Sequence, residues 1–209
     1  MTTTAVVTGA SSGMGLFASV ELAKRGLDVV ATVRDTLRDT LRAGALLGAA
    51  EQVGVSVQVA ELEVTAPDAA DRLAAIAADH DGIDVLINNA GRGCVGTAED
   101  LTMEEIEAQL AVNYLGPVRL TKAVLPAMRE RGQGRILTVT SVGGVVGQPF
   151  AAAQQAADAG RAIADAATSD DYRFRWQTSE SAERFAGISL ADLDGSRVHG
   201  VTAGWIASS

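Results

Sequence analysis

The run Thr8-Gly9-Ala10-Ser11-Ser12-Gly13-Met14-Gly15 places three glycines between a β-branched stretch and a helical pattern. That is the context of a loop that cradles a pyrophosphate. Gly9 permits a tight turn, Gly13 lets backbone approach the phosphates, and Gly15 allows close helix packing. The unpaired N–H groups at the start of the following helix then meet the anion, with Ser11, Ser12 and Met14 beside it. A ligand-free glycine turn shares this composition, so the residue about twenty positions on, at the end of the second strand, carries the discrimination. A carboxylate there holds a ribose 2′-hydroxyl, whereas a guanidinium pairs with a 2′-phosphate. The segment Ala31-Thr32-Val33-Arg34-Asp35 puts Arg34 in that place, which predicts NADP(H) as cofactor, with Asp35 as the N-cap of the next helix.

Other chemistry-bearing residues read more simply. Cys94, in Gly91-Arg92-Gly93-Cys94, has the character of a small packed side chain. His80 and His199 lie apart without metal-ligating neighbours, so no metal site is expected. The patch Tyr172-Arg173-Phe174-Arg175-Trp176 reads as a solvated face.

The elements that position the loop alternate between short β-branched runs and Ala/Leu-rich stretches of helical period. Strands are expected at residues 4–8, 28–33, 56–60, 85–88 and 135–140. Helices are expected at 14–25, 36–52, 67–79 and 102–131. The third helix takes Thr65 as cap and Pro67 in its first turn. The fourth starts with Glu104 and Glu105, favoured by the helix dipole. Its apolar face runs through Ile106, Leu110, Tyr114, Leu120, Val124 and Met128, with a bend at Gly116-Pro117. The fold expected is a doubly wound parallel sheet of Rossmann type that stops after the fifth strand and continues into a helical tail. It forms a single domain over residues 1–209, with cofactor-binding βα units over 1–150 and the tail over 151–209. Residues 151–167 contain ten alanines and only Ile163 as a large apolar side chain, which predicts a helix with little to bury. A further helix is expected over 179–192.

The 209 residues carry a net charge of −9, which argues against a nucleic-acid groove or an anionic membrane as partner. No apolar run is long enough to span a bilayer. One cysteine permits no intramolecular disulfide, and Thr2-Thr3-Thr4 opens no export signal, so the cytoplasm is the expected compartment.

The glycine loop, Asn88-Asn89-Ala90-Gly91 after the fourth strand, Asn113 in the long helix and Ser141 after the fifth strand occur in the order of the short-chain dehydrogenase/reductase family. The chain resembles that family from about residue 4 to 150. The stretches Val112-Asn113-Tyr114-Leu115-Gly116 and Ser141-Val142-Gly143-Gly144 are closest in type to carbonyl-reductase and hydroxysteroid-dehydrogenase-like members. The resemblance implies that Asn89, Ala90 and Gly91 line the cofactor's ribose side. It implies that Glu63 stands where the family has an aspartate near adenine, with Val64 beside it, and that Ser141 and Asn113 occupy catalytic positions. The implied chemistry is hydride transfer between nicotinamide and the carbonyl of a small-molecule substrate. A tyrosine donates the proton, its pKa lowered by a lysine four residues later.

That pair is missing. The tyrosine normally follows the serine by about thirteen residues, and counting from Ser141 reaches Gln154, then Asp158 where the lysine belongs. Tyr114 and Tyr172 are followed four later by Val118 and Trp176, so the sequence holds no Tyr-x-x-x-Lys. Residues 155–180 resemble the family's C-terminal region, so Phe150 reads as joined to sequence that normally comes several dozen residues later. The lost part would carry the catalytic helix and sixth strand. An apolar face is then left to cover, which predicts a homo-oligomer or pairing with an active relative. Three functions remain open: an oxidoreductase acting on a carbonyl, quinone-like or flavin acceptor without the usual acid–base pair; a silent NADP(H)-binding sensor or partner subunit; and a non-redox cyclase or isomerase using the old pocket.

Overall fold

Short runs of branched aliphatic residues, buried on both faces, build a parallel sheet. The computed structural model describes residues 2–36, 40–93, 99–141, 156–171, 176–177 and 180–191. Its strands are β1 (Thr4–Val7), β2 (Asp28–Val33), β3 (Gln58–Glu61), β4 (Val85–Asn88) and β5 (Arg135–Thr138). They pair in parallel in the order β3-β2-β1-β4-β5. Val6 stands opposite Val30 on one side and Leu86 on the other. Every residue of β1 and β4 is buried, as central strands require. β3 starts at Gln58 rather than 56 because its ladder with β2 begins at the Val30–Gln58 pair. β5 ends at Thr138 rather than 140, opposite Asn88, the last residue of β4.

The helices are α1 (Gly13–Lys24), α2 (Thr40–Gln52), α3 (Ala69–Asp79), α4 (Met103–Leu110), α5 (Gly116–Glu130), α6 (Ala156–Thr168) and α7 (Glu180–Ala191). One sheet face is covered by α1, α2 and α6, where Leu22, Leu46 and Ile163 pack on Val7, Val29 and Ile87. The other is covered by α3 and α5, where Leu73, Ile76, Leu120, Val124 and Met128 pack on Val6, Val30 and Leu86.

Three expectations need correction. The long fourth helix is two helices joined by a π-helical turn, Ala111–Leu115, in which the Gly116 N–H donates to the Ala111 carbonyl. That turn adds a residue and rotates everything before it by roughly 100° relative to α5. Leu110 and Tyr114 therefore point outward, exposed by 54% and 63%, while Leu120, Val124 and Met128 stay inside. Gly116 is needed for close approach, since a Cβ there would lie 3.0 Å from Val64 Cγ2. Second, α3 is preceded by Asp68, and Pro67 lies before the helix; the Thr65 hydroxyl donates to Glu63 Oε1 at 3.0 Å. Residues 37–39, which follow Asp35 and would carry the amides it is expected to cap, lie outside the described residues.

The third concerns the Ala-rich segment. α6 buries Ala159, Ile163, Ala164, Ala166 and Ala167. Its small residues let its backbone approach α1, and a Cβ on Gly160 would sit 2.6 Å from Phe17 Cβ and 2.9 Å from Ala18 N. Arg25 pairs with Asp165 at 2.7 Å, and Arg135 of β5 donates to the carbonyls of Ala166 and Ser169 at 2.8 and 2.7 Å. The alanines are the packing surface.

The face that α6 occupies matters. Parallel crossovers are right-handed, so helices joining strands that advance from β4 toward β5 and beyond lie on the α5 face. α6 lies on the α1 face, so its position does not suit a crossover from β5 to a further strand outside it.

Candidate functional site

The carboxyl ends of the strands converge where chain order reverses, between β1 and β4, which is where an open α/β sheet opens a crevice. A cleft of about 600 Å³ lies there, lined in part by Gly9, Ser11, Ser12, Met14, Arg34, Glu63, Val64, Asn89, Ala90 and Gly91. Ten expected site residues thus meet in one cavity, although they span β1 to the end of β4.

Thr8 organises its floor. The Thr8 hydroxyl donates to the Ile87 carbonyl at 3.3 Å and accepts from the N–H groups of Asn89 and Ala90, both at 3.0 Å. Asn89 returns the contact, its Nδ2 donating to the carbonyls of Thr8 at 2.9 Å and Gly9 at 3.1 Å. The two loops are thereby sewn together. Gly9 has φ +65°, and a Cβ there would stand 2.7 Å from the Ala90 Cα. Gly15 is as constrained, because a Cβ would come 2.4 Å from Asn89 Nδ2 and 2.6 Å from the Gly9 carbonyl oxygen. Gly13, at φ +58°, has nothing within 4 Å of the corresponding position. Ser12 stands at the N-cap of α1, and its side chain makes no capping bond.

A dinucleotide fits these residues. The first amides of α1 retain their donor capacity, open space surrounds Gly13, and the guanidinium of Arg34 has no hydrogen-bond or ion-pair partner among the described residues. Arg25, Arg72 and Arg131, by contrast, each face a carboxylate.

Asn113 and Ser141 are placed differently. Within the π-helical turn, Asn113 Oδ1 accepts from the Arg92 N–H and its Nδ2 donates to the Arg92 carbonyl, both at 2.9 Å. It clamps the loop that follows Gly91. Ser141 is exposed, three residues beyond β5, at the same sheet edge but not among the residues lining the cleft. Cys94, His199 and residues 172–175 lie outside the described residues.

The cleft also draws in Leu62, Thr65, Arg92, Ala108, Ala111 and Val112, which were not among the expected site residues. The last three arrive through the π-helical turn, which has no signature in composition. Beside the cleft, Arg72 joins Glu61 at 2.9 Å and Asp68 at 2.8 Å. The hydrogen bond from Arg72 holds the Asp68 carboxyl below its ordinary pKa, and those to Asp68 and Glu61 raise that of Arg72. Among the described residues there is no cluster of acidic, His or Cys side chains able to hold a metal. No described helix is long and apolar enough to cross a membrane.

A glycine loop between β1 and α1, a cleft at the strand-order reversal and a parallel sheet with helices on both faces define a Rossmann-type nucleotide-binding fold. Comparison with known proteins carries this to the family: residues 3–173 match the model for short chain dehydrogenase, and the chain belongs to that oxidoreductase family. It is 41% identical over 152 residues to retinol dehydrogenase 8 of Homo sapiens, covering 70% of this chain and 47% of that protein. Identity to estradiol 17-beta-dehydrogenase 1 of Rattus norvegicus is also 41% over 152 residues, covering 71% and 43%. The chain thus spans about half the length of the curated relatives it matches. A short-chain dehydrogenase from Sphingobium yanoikuyae in complex with NADPH superposes with a TM-score of 0.59 and 33% identity, over 68% of this chain and 55% of that one. A metagenomic short-chain oxidoreductase in complex with NADP gives 0.61 and 33%, over 66% and 61%. Fold and family expectations are both borne out.

Proposed function

We propose that the chain binds NADP(H) in this cleft and retains the cofactor-binding half of a short-chain dehydrogenase without its usual acid–base pair. The carrying observation is the unpartnered Arg34 guanidinium in the cleft at the end of β2, where a 2′-phosphate would lie. NADP-bound structural relatives support the choice of cofactor. The amides at the start of α1 bind the pyrophosphate. Glu63 and Val64 line the adenine side, Ala90 and Gly91 the ribose side, and Asn113 fixes the loop after Gly91.

When bound, nicotinamide supplies a hydride to a small-molecule acceptor whose carbonyl, quinone-like or flavin ring accepts it. Ser141 stands at the edge from which a hydroxyl would bind the acceptor's oxygen. The sequence contains no tyrosine–lysine pair at the i, i+4 spacing that would deliver a proton. The placement of α6 on the α1 face supports the reading that the unit normally following β5 is missing from this chain.

That placement favours a second reading, an NADP(H)-binding partner subunit without turnover. Leu110, Tyr114, Leu115, Val118 and Leu125 are exposed along α4, the π-helical turn and α5, which supports association with a second copy or an active relative. The cofactor assignment is tested by fluorescence titration of wild type and Arg34→Asp with NADPH and NADH. Wild type should favour NADPH, and the variant should lose or reverse that ratio. An unchanged ratio rejects the role of Arg34.

A further inference from the structure

We propose that Glu61 is a positioning residue for the cofactor's 2′-phosphate, holding the turn that carries Arg34 from the end of the neighbouring strand. The proposal rests on the NADP(H) reading above.

Val33 and Glu61 are paired residues of β2 and β3, and the Leu62 N–H donates to the Val33 carbonyl at 2.8 Å. The two strand ends are thus fixed to each other where Arg34 leaves the sheet. Beyond that bond, the Glu61 side chain reaches the turn after β2. Its Oε2 accepts from the Thr36 N–H at 3.4 Å and from the Thr36 hydroxyl at 3.2 Å. Its other oxygen, Oε1, accepts from Arg72 Nη1 at 2.9 Å, and Arg72 Nε is held by Asp68 Oδ2 at 2.8 Å. The carboxylate therefore bridges the turn after β2 and the start of α3.

Charge gives the bridge a second consequence. A carboxylate near a phosphate seat repels the ligand, and its pairing with Arg72 offsets that repulsion. Arg34, two residues before Thr36, lines the cleft with its guanidinium unpaired among the described residues. The arrangement supplies rigidity through Glu61 while Arg72 masks its charge. The residues are partly exposed, with Arg72 and Glu61 side chains at 42% and 38%, so substitutions here should leave the fold intact.

The test is equilibrium titration of wild type, Glu61→Ala, Glu61→Gln and Arg72→Ala with NADPH and with NADH, read by nucleotide fluorescence. Glu61→Ala should weaken NADPH about fivefold, the scale of one net hydrogen bond, and NADH less than about twofold. Glu61→Gln keeps an acceptor for Thr36 and loses the charge, so it should bind NADPH as well as wild type or better. Arg72→Ala unmasks the charge and should weaken NADPH selectively. An NADPH/NADH ratio in Glu61→Ala within twofold of wild type overturns the proposal. So does an equal loss for both nucleotides, which marks a general structural role. Should wild type itself show no preference for NADPH, the NADP(H) reading fails and this one with it.

Discussion

Replacing Gly15 by alanine puts a methyl group where the loops after β1 and β4 are sewn together. The new Cβ would lie 2.4 Å from Asn89 Nδ2 and 2.6 Å from the Gly9 carbonyl oxygen, against an ordinary contact of at least 3.4 Å. Relief requires movements of about 1.0 Å and about 0.8 Å respectively. Neither atom is free to make them. Asn89 Nδ2 holds the carbonyls of Thr8 and Gly9, and Gly9 is fixed at φ +65° against Ala90. Breaking both amide bonds costs about 1 kcal/mol each, and overpacking costs about 1–3 kcal/mol. Greater helix propensity returns up to about 1 kcal/mol. The net loss expected is about 3 kcal/mol, which at a urea slope of about 2 kcal/mol/M lowers the unfolding midpoint by about 1.5 M. NADPH affinity should fall at least tenfold in the same variant, because the displaced carbonyl belongs to the phosphate loop. A midpoint equal to or above that of wild type would refute the packing derived for this junction.

Glycine-to-alanine changes elsewhere should separate packing from propensity. Gly44 and Gly48 of α2 have nothing within 4 Å of a Cβ, so alanine there should stabilise by about 0.5–1 kcal/mol each, whereas Gly160→Ala should destabilise by about 1–2 kcal/mol because it meets the α1 backbone; urea unfolding reads both signs. Asn113→Ala should speed hydrogen exchange of the Arg92 amide about fivefold or more, and unchanged exchange would mean that the clamp does not hold the loop. The Asp68 carboxyl has a depressed pKa in the folded chain, so its contribution is complete above the unfolded value of about 4 and fades as the pH falls through the depressed one. Thermal melts of wild type and Asp68→Asn should therefore differ near neutrality and converge near pH 2.

The sheet was legible because its signal is local. Branched aliphatic runs such as Val29–Val33 and Val85–Ile87 suit strands of a parallel sheet covered on both faces, and the glycine loop fixes which strand comes first. Of the candidate site, Arg34 is singled out by its place at the end of the second strand, and it lines the cleft. What escaped depends on contacts between distant segments. The π-helical turn has no compositional mark, yet it sends Leu110 and Tyr114 outward and brings Asn113 onto Arg92. The alanines of α6 looked like a lack of core because their value lies in how closely α1 can approach, which Gly160 and Phe17 show only when both helices are placed. Thr65 is a good capping residue by type, but α3 starts after Asp68 and the Thr65 hydroxyl turns to Glu63 instead.

The account stands most directly on one paired measurement: equilibrium binding of NADPH to the wild-type chain, followed by NADPH oxidation over a panel of ketones, quinones and flavins. Losing an acid–base group costs ~10²–10⁴-fold in rate, so saturable NADPH binding with ketone reduction at least about a hundredfold below a complete short-chain dehydrogenase is expected. Failure to bind NADPH, or ketone turnover at the rate of a complete enzyme, would contradict it.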